Sequence, residues 1–291
     1  MPQEFDAVAQ EYDAAFSHTA IGRLLRERVW YCTGGFSRRN PAAKAAGTIL
    51  ELNCGTGEDA IWLAKQGFQV LSTDASPEMV AIAQTKIARE GLAESASVQI
   101  CSFAEIQHLP EGNFDLIFSN FGGLNCVSSK ELEQLGAVFI QKLNPGGKFI
   151  AVVMGRFCWW EILYFLLKMK PRKAFRRFGK KPVDARLDAQ TTIPTWYYAP
   201  SEFEHLVRGR KTLAGREKSK FKDPKSEFQF NSLRSTVKPI GFWIPPSYLN
   251  PFFEKRPRLL GFLNFLEKTF APSWLAFAAD HFLICIETKK S

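Results

Sequence analysis

The residues best suited to chemistry lie in one short loop in the first third of the chain. Residues 49–60, ILELNCGTGEDA, read as a buried strand that turns through small residues into a helix. Such a turn needs positive φ angles and room for a ligand to touch the backbone, and Gly55 and Gly57 supply both. Asn53 is the type of non-glycine residue that best tolerates the left-handed region. Asp74 follows the second predicted strand, where its carboxylate can accept hydrogen bonds from two ribose hydroxyls.

The same loop also fits a second class of ligand. Gly55-Thr56-Gly57-Glu58-Asp59-Ala60 matches the dinucleotide fingerprint G-x-G-x-x-A, so a nicotinamide or flavin enzyme is an alternative. A dinucleotide places its pyrophosphate on the helix N-terminus, where Glu58 and Asp59 would repel it. S-adenosylmethionine has no phosphate and carries a positive sulfonium and an α-amino group, so an acidic loop favours that ligand. Acidic residues at a helix N-terminus also interact favourably with the helix dipole. That role would account for Glu58 and Asp59, but not for the Asn-Cys-Gly-Thr-Gly turn together with Asp74.

The elements that must position this loop alternate between strand and helix. We predict strands at 49–52, 68–72, 98–101, 114–119 and 148–154, and helices at 58–65, 77–90 and 130–143. Two late strands are predicted at 235–244 and 281–288. Strands that alternate with helices predict an α/β fold with a doubly wound parallel sheet and right-handed crossovers. Ligands of such sheets bind at the carboxyl ends of the strands.

The flanking regions differ from this core. Residues 4–30 read as helix, with Arg23, Arg26 and Arg28 on the polar side. After Met154 we predict an aromatic helix over 157–169, a basic stretch, a helix over 201–207 and a Pro- and Phe-rich insertion at 245–275. We predict one domain, residues 1–291. It comprises a helical cap (1–47), a cofactor-binding core (48–155) and a basic, aromatic substrate region with the last strands (156–291).

The motif Glu51-Leu52-Asn53-Cys54-Gly55-Thr56-Gly57 resembles the acidic-apolar-Gly-Cys-Gly-Thr-Gly motif of class I S-adenosylmethionine-dependent methyltransferases, with Asn53 replacing the first glycine. Residues 74–79 (DASPEM), 114–121 (FDLIFSNF) and 143–147 (LNPGG) match other motifs of this family. Phe5-Asp6-x-x-Ala9-x-x-Tyr12-Asp13 resembles the N-terminal cap helix of many such enzymes. The resemblance is specific over roughly residues 4–155 and mainly topological beyond them.

The resemblance implies a Rossmann-like methyltransferase sheet of seven strands, the last one antiparallel, with an N-terminal helical cap and C-terminal insertions. It implies S-adenosyl-L-methionine as the cofactor. The implied cofactor-binding residues are Tyr12, Glu51, Asn53, Gly55, Thr56, Gly57, Asp74, Ala75, Met79, Phe103, Ala104 and Asn120. The resemblance implies that Gly55, Thr56 and Gly57 line the methionine moiety of the cofactor, and that Glu51 holds the loop or the amino group. Met79 would lie against the adenine, and Tyr12 would close over the cofactor.

One segment departs from the family pattern. The family usually has an acidic residue after the third strand, which binds the adenine amino group. Here the segment reads Cys101-Ser102-Phe103-Ala104-Glu105, so Phe103 or Ser102 occupies that place. Backbone groups and stacking would then hold the adenine.

Methyl transfer is an in-line displacement, so the protein must position the nucleophile, exclude water and sometimes remove a proton. The predicted catalytic candidates, for positioning or as a base, are Tyr12, His18 and Asn120. His18 follows the predicted Tyr12 helix, and Asn120 lies at the carboxyl end of the fourth strand, where this fold places its chemistry. Weaker candidates are Asn125, Cys126, Trp196, Tyr197, Tyr198 and His205. The Asn-Pro-Pro-Tyr motif of amino methyltransferases that act on nucleobases or glutamine is absent, since the segment reads Ser119-Asn120-Phe121-Gly122-Gly123.

The charge is divided unevenly along the chain. Residues 1–153 hold 12 Lys and Arg against 17 Asp and Glu, whereas residues 154–291 hold 26 against 12, so the halves carry −5 and +14. Residues 168–181 contain eight cations and no acid, and a second basic patch spans 208–222. Three interpretations stay open for the basic stretch: a membrane surface, RNA phosphates, or a solvated helix that covers the substrate pocket.

The six cysteines are spaced singly, with no C-x-x-C pair and no Cys/His ligand spacing. They predict reduced thiols in the cytoplasm and no metal site. The N-terminus lacks the features of a signal peptide, and no apolar run is long enough to span a bilayer.

We therefore expect an enzyme that methylates the oxygen, nitrogen or carbon of a small or lipid-like hydrophobic acceptor. Peripheral membrane contact through Phe157–Lys181 is an additional hypothesis, and nucleic acid is a disfavoured partner. The alternatives are an RNA or protein methyltransferase, an NAD-dependent dehydrogenase and a non-catalytic cofactor-binding module.

Overall fold

The computed structural model describes residues 2–33, 47–109, 114–187, 191–209 and 233–289. The strands in these ranges are β1 (Thr48–Leu52), β2 (Gln69–Asp74), β3 (Ala96–Ile100), β4 (Phe114–Ser119), β5 (Leu143–Met154), β6 (Val183–Arg186), β7 (Thr192–Thr195), β8 (Arg234–Ile240) and β9 (His281–Glu287). The α-helices are α1 (Pro2–Asp6), α2 (Ala20–Thr33), α3 (Glu58–Lys65), α4 (Pro77–Arg89), α5 (Ser129–Gln141), α6 (Trp159–Leu167), α7 (Pro171–Ala174), α8 (Pro200–Val207), α9 (Asn250–Phe253) and α10 (Pro257–Thr269).

Seven of these strands form one sheet in the order β3-β2-β1-β4-β5-β9-β8. The first five are parallel, and β9 runs antiparallel to both of its neighbours. Strands β6 and β7 form a separate antiparallel pair. This topology confirms the predicted α/β, Rossmann-like sheet of seven strands with the last one antiparallel.

The strand register places the carboxyl ends of β1, β4 and β5 and the amino end of β9 at one edge of the sheet. Leu52 at the end of β1 pairs with Ser119 at the end of β4. Met154 at the end of β5 pairs with His281, the first residue of the antiparallel β9. Parallel strands present their carboxyl ends at the same edge, and β9 contributes its amino end there. The Gly-rich loop, the residues after β4 and the start of β9 therefore lie along one edge.

Helices cover both faces of the sheet because alternate side chains of each buried strand point to opposite sides. Ile49 packs in an apolar cluster with residues of α2, α3 and α4. Leu50 and Leu52 pack in a second cluster with residues of α5 and α8. In β9, Leu283 belongs to the first cluster and Phe282 to the second, so His281 lies on the α2 side.

Several predicted bounds change. The predicted helix over 4–30 divides into α1, a π-helical turn at Asp13–Ser17 and α2. The aromatic helix ends at Leu167, and the basic stretch that follows forms α7 and a short 3-10 turn, with Pro171 as the first residue of α7. Strand β5 begins at Leu143 rather than at Lys148, because the Asn-Pro-Gly-Gly segment continues the strand through an irregularity in register.

Within the part of the chain that the structure describes, no helix combines the length and the apolar character needed to cross a bilayer. The predicted connection around Pro41 lies outside the described residues, as does the second basic patch beyond Gly209.

Candidate functional site

The Gly-rich loop turns sharply between β1 and α3. Three of its residues have positive φ angles, 47° at Asn53, 53° at Gly55 and 82° at Gly57. A Cβ atom on Gly57 would stand 2.9 Å from the Cβ of Ala83, so the glycine lets α3 begin directly against α4. A Cβ atom on Gly55 would project toward the Tyr12 ring, 4.0 Å from Cε1. The backbone of the loop therefore faces Tyr12 across a gap that a larger side chain would fill.

Asp74 is oriented by two backbone amides at the end of β2. Its Oδ2 accepts a hydrogen bond of 2.8 Å from the Gly55 N–H, and its Oδ1 accepts one of 3.0 Å from the Ser76 N–H. Burial raises the pKa of the Asp74 carboxyl, although these backbone donors oppose the shift. Each carboxylate oxygen keeps acceptor capacity, so the group is prepared for two further donors such as ribose hydroxyls.

Glu51 lies beneath the loop. Its Oε2 accepts a hydrogen bond of 2.6 Å from the Ser72 hydroxyl on the neighbouring strand, and its side chain is buried. Burial, followed by the nearby charge of Asp59, raises the pKa of Glu51 well above its ordinary value. The carboxyl group thus links β1 to β2 directly below the glycines.

Asp59, in the first turn of α3, joins three elements. It forms a buried ion pair with Arg26 of α2, and Trp30 of the same helix donates from Nε1 to Oδ1 at 2.6 Å. Asn120, directly after β4, donates from Nδ2 to Oδ2 at 2.9 Å. Leaving a buried charge without its partner costs about 3–5 kcal/mol, so this cluster fixes α2 against the loop.

The prediction that Arg26 and Arg28 lie on the polar side of their helix is wrong, since both are buried. The physical reason for Arg26 is its counterion, Asp59, which makes burial of the guanidinium tolerable. Arg26 also lies 5.4 Å from the ring centroid of Phe121. Sequence reasoning missed Arg26 and Trp30. The available signal was the position of Arg26 next to the apolar stripe of Ile21, Leu25 and Val29.

The two acids that were expected to repel a phosphate each have a cation. Lys86 of α4 pairs with Glu58 and, at 2.8 Å, with Asp13, while Arg26 pairs with Asp59. The Thr56 hydroxyl donates to Asp13 at 2.6 Å, which ties the π-helical turn to the loop. Two cations therefore offset the three carboxylates of Asp13, Glu58 and Asp59, so the net negative charge at the first turn of α3 is smaller than the sequence predicted.

Tyr12 lies over the loop with its hydroxyl in a charged environment. Burial raises the pKa of Tyr12 to about 12, with Arg26 acting in the opposite direction and Asp74 and Asp59 adding to the rise. The hydroxyl therefore stays protonated and available as a donor. The ring of Phe16 lies 6.0 Å from the Tyr12 ring and 5.2 Å from the ring of Phe121, measured between centroids.

Asn120 is buried, and both ends of its amide are occupied. Besides the donation to Asp59, its Oδ1 accepts a hydrogen bond of 3.0 Å from the Phe121 N–H. Its backbone oxygen accepts one of 2.7 Å from Nδ2 of Asn53. Phe121 itself has a φ of 40°, in the left-handed region that bulky residues avoid. These contacts orient the backbone after β4 and leave the Asn120 side chain engaged with protein groups.

The remaining predicted cofactor-binding residues line the same edge at β2 and β3. Met79 is buried in the first turn of α4, and its N–H donates to the Ser76 hydroxyl at 3.1 Å, beside Ala75. The Cys101 N–H donates to the Asp74 carbonyl at 2.9 Å, which brings the following segment beside Asp74. In that segment Phe103 is half-buried and Ala104 is exposed. Their contacts with a cofactor stay predictions.

His18 lies beside the first turn of α3, and its catalytic role stays a prediction. Its Nε2 lies 3.6 Å from Oε1 of Glu58, and its side chain is 56% exposed. Among the weaker candidates, Asn125 is occupied by the backbone of Met154 and Trp196, and the Tyr198 hydroxyl donates to the Val127 carbonyl. Burial raises the pKa of the Cys126 thiol to about 11, and His205 is exposed on α8.

Sequence reasoning also missed a buried cluster at the start of β9. The His281 ring stands edge-on to the Phe121 ring, with 5.5 Å between centroids, and its Nδ1 lies 3.2 Å from Oδ2 of Asp280. Nη2 of Arg177 lies 2.9 Å from Oδ1 of Asp280 and 2.7 Å from Oε2 of Glu161. Burial alone would raise the pKa of Asp280, but His281 and Arg177 hold it well below its ordinary value.

The signal for His281 was its position. A histidine that opens the last strand of this sheet lies at the same edge as the residues after β4, and Met154 is its partner in the register. The ring therefore lies next to Phe121, on the α2 side of the sheet, and Phe121 in turn contacts the ring of Phe16.

Comparisons with known proteins agree with this geometry. The family described as "Methyltransferase domain" matches residues 49–147, which include the Gly-rich loop, Asp74 and Asn120. The putative methyltransferase YqeM of Bacillus subtilis (strain 168) is 34% identical over 106 residues, 35% of this chain and 40% of that protein. The demethylmenaquinone methyltransferase of Thermus thermophilus is 32% identical over 153 residues, 51% of this chain and 63% of that protein.

Solved structures add the fold. Phosphoethanolamine N-methyltransferase 2 of Haemonchus contortus, in complex with phosphomonomethylethanolamine and S-adenosylhomocysteine, superimposes with a TM-score of 0.55 at 15% identity. That match covers 99% of this chain and 60% of the other. The chain spans about two fifths of the length of the first curated relatives that it matches.

Proposed function

We propose that this chain, which contains a class I S-adenosylmethionine-dependent methyltransferase domain, transfers a methyl group to a small hydrophobic acceptor. The observation that carries the proposal is the coincidence of the matched family residues, 49–147, with the loop geometry around Gly55 and Asp74. A dehydrogenase or a non-catalytic cofactor-binding module lacks this support. A small molecule is the proposed class of acceptor, and RNA and protein are the alternative classes.

The residues at the loop fit the cofactor chemically. When bound, S-adenosylmethionine supplies an activated methyl group on a sulfonium and leaves as a neutral thioether. Asp74 is oriented by Gly55 and Ser76 to accept hydrogen bonds from the ribose. The backbone of Gly55 would line the methionine part, in the gap that a Cβ atom would narrow. Tyr12, with its pKa raised to about 12 by burial, would donate from its hydroxyl and exclude water above the loop.

The proposed acceptor space is apolar. Phe16 and Phe121 contact each other beside Tyr12, and the Phe121 ring continues to His281. Aromatic walls favour a flat or lipid-like acceptor, because they offer apolar area and few hydrogen bonds. The names of the relatives support small acceptors, since they include a demethylmenaquinone methyltransferase and a phosphoethanolamine N-methyltransferase.

We assign proton removal to His281. Oδ2 of Asp280 lies 3.2 Å from Nδ1, so its negative charge favours the tautomer with the proton on Nδ1, which leaves the lone pair on Nε2. As the acceptor oxygen or nitrogen forms its bond to the methyl carbon, the carbon–sulfur bond breaks and the acceptor's proton passes to Nε2. Arg177 keeps Asp280 ionised and in place. Asn120 serves as a positioning residue, because both ends of its amide are occupied by Asp59 and Phe121.

Titration calorimetry tests the cofactor. We expect S-adenosylhomocysteine to bind and NADH not to bind, with binding abolished in Gly55→Val and in Asp74→Ala. Gly67→Val is the matched control, because Gly67 also has a positive φ, of 90°, but no atom lies within 4 Å of its Cβ position. Tight NADH binding without S-adenosylhomocysteine binding, or unchanged affinity in both site variants, would contradict the site.

Labelled methyl transfer tests the acceptor. We would incubate the protein with methyl-labelled S-adenosylmethionine and the apolar small-molecule, RNA or protein fraction of a cell extract. We expect label in the apolar small-molecule fraction. Label in RNA or protein alone would replace the proposed acceptor class, and no label in any fraction, with the cofactor bound, would favour a non-catalytic module.

His281→Gln tests the proton acceptor. With the labelled acceptor, we expect a fall in kcat of about 10²–10⁴-fold and loss of the acid limb of the pH–rate profile, because general-base catalysis contributes that much. S-adenosylhomocysteine affinity should not change. His205→Gln, an exposed histidine on α8, is the control. An unaltered pH profile in His281→Gln would remove His281 from the mechanism.

A further inference from the structure

Helix α6 presents its apolar side to solvent and its acid to the interior. Glu161 is 1% exposed, whereas Leu163, Leu166 and Leu167 are exposed, Leu167 to 76%. Two arginines satisfy the glutamate, since Arg176 and Arg177 both donate to its carboxylate. A surface helix of a globular protein normally shows the opposite pattern, with its apolar stripe toward the core.

Helix α10 repeats this inversion. Glu267 is fully buried and accepts backbone hydrogen bonds from Gly241 at 3.0 Å and Trp243 at 2.7 Å. Leu259, Phe262 and Phe265, spaced three residues apart along one face, are exposed. Two helices in one region therefore bury a glutamate and expose large apolar side chains.

Aromatic contacts join the two helices into one surface. Trp159 of α6 lies 5.7 Å from Phe242, between ring centroids, and Tyr164 of α6 lies 5.6 Å from Tyr248. The indole of Trp243 donates to the Phe270 carbonyl, just after α10, at 2.8 Å. We call the exposed side chains of α6, residues 169–178 and residues 242–277 the apolar surface.

The concentration of apolar exposure there is high. Of the sixteen large apolar side chains that are exposed in the described residues, fourteen lie between Leu163 and Phe277, and the other two are Tyr31 and Ile100. A cavity of about 670 Å³ opens at this surface among Trp243, Phe270 and Trp274. Exposed apolar patches of this kind mark interaction sites.

The apolar surface is also cationic. Arg176 and Arg177 pair with Glu161, but the other six cations of residues 168–181 are exposed: Lys168, Lys170, Arg172, Lys173, Lys180 and Lys181. Lys255, Arg256 and Arg258 are exposed at the start of α10, and Lys268 is exposed in its last turn. Some of these cations lie over the rings: Lys168 Nζ is 4.6 Å from the Tyr164 centroid, and Arg256 Cζ is 3.9 Å from that of Phe252.

We propose that the apolar surface docks onto an anionic lipid membrane. Aromatic and leucine side chains enter the boundary between headgroups and acyl chains, while the flanking lysines and arginines meet the anionic headgroups. Each cation near an anionic surface strengthens binding by about fivefold at low salt. A second copy of the chain is a poorer occupant, because it would bring the same positive charge against this surface. The docking is independent of the identity of the methyl acceptor.

Vesicle co-sedimentation of the full chain tests the proposal. We would compare pure phosphatidylcholine vesicles with vesicles of phosphatidylcholine and phosphatidylglycerol in a 3:1 ratio. We expect at least tenfold stronger binding to the anionic vesicles and a steep loss of binding between 50 and 500 mM salt, because salt screens exposed charges. No binding, or equal binding to both vesicles, would overturn the proposal.

Matched double variants locate the surface. We expect Phe262→Ser with Trp274→Ser to weaken anionic-vesicle binding at least tenfold, whereas Tyr31→Ser with Ile100→Ser, exposed apolar residues elsewhere, should not change it. Lys255→Glu with Arg258→Glu should also weaken binding, whereas Arg89→Glu with Lys130→Glu makes the same change in net charge at exposed sites away from the surface and should have a smaller effect.

Equal losses in test and control variants would overturn the assignment to this surface. Concentration-dependent dimerisation in analytical ultracentrifugation, lost in Phe262→Ser with Trp274→Ser and with no vesicle binding, would replace the membrane with a second copy. S-adenosylhomocysteine affinity, measured on the same variants, should stay unchanged and shows that each variant is folded.

Discussion

The cofactor-binding region and the C-terminal region both bury carboxylates, but these carboxylates have different structural roles. Around the Gly-rich loop, Asp74 holds the backbone of Gly55, and Asp59 holds α2 and the residue after β4. In the C-terminal region, Glu161 and Glu267 hold backbone and arginines from inside, and the outer faces of their helices are apolar. In one region the carboxylates fix the loop and its neighbours, and in the other they lie beneath an exposed apolar surface.

This difference shows why net charge by region is a poor guide to a surface. The first half carries −5, yet Glu58 and Asp59 are paired with Lys86 and Arg26. The second half carries +14, and there Arg177 is buried in an ion-pair cluster while many neighbouring cations remain exposed. What a region can bind depends on which charges remain unpaired and accessible, because paired buried charges contribute little field outside the protein.

The largest effect that we predict comes from removing the shared cation of the C-terminal cluster. Arg177→Met leaves Glu161 and Asp280 buried without their common partner, so the free energy of unfolding should fall by about 3–5 kcal/mol. Urea unfolding, followed by circular dichroism, measures it. Arg172→Met, an exposed arginine in α7, is the control and should change stability by less than about 0.5 kcal/mol. Equal losses of unfolding free energy in Arg177→Met and Arg172→Met would mean that the ion pairs of Arg177 do not stabilise the C-terminal region.

The sequence predicted the cofactor-binding region well because its signals are local. A strand, a turn with Gly55 and Gly57 and the helix after it are encoded by adjacent residues, and α3 and β4 have the bounds that the pattern predicted. The order of alternating strands and helices then restricts the sheet to few topologies. The position of Asp74 follows from the same spacing, whereas Met79 was assigned through the family resemblance, and its contact with a cofactor stays a prediction.

The rest of the site depends on contacts between distant residues, which periodicity does not encode. The pairs Arg26 with Asp59, His281 with Asp280 and Phe121 with His281 exist only once the sheet is assembled. The position of Arg26 next to the apolar stripe of α2 was a weak signal for burial, because its counterion Asp59 is 33 residues away in the chain. The inversion of α6 and α10 was equally hidden, because a hydrophobic stripe is normally expected to face the core.

A smaller effect is expected from the matching cation of the cofactor-binding region. In Arg26→Met, Asp59 keeps hydrogen bonds from Trp30 and Asn120, so the loss should be about 1–3 kcal/mol, less than for Arg177→Met. Since α2 then holds the loop less firmly, S-adenosylhomocysteine affinity should fall about tenfold in calorimetry. Arg23→Met, exposed on the same helix, is the control. Undiminished affinity in Arg26→Met would separate the ion pair from cofactor binding.

The smallest predicted effect is on how steeply the free energy of unfolding declines at acid pH. Although burial opposes it, His281 and Arg177 lower the pKa of Asp280 below its ordinary value, so the ionised form stabilises the folded state. That stabilisation is fully present above the pKa of an unfolded aspartate, about 3.9, and is lost as pH falls through the lower folded pKa. The free energy of unfolding of the wild type should therefore decline more steeply below about pH 4 than that of Asp280→Asn, which has no proton to bind there. Urea unfolding at pH 2–6 measures the two slopes. Asp184→Asn, an exposed aspartate on β6, should keep the wild-type slope, and equal slopes in wild type and Asp280→Asn would place the acid sensitivity outside this cluster.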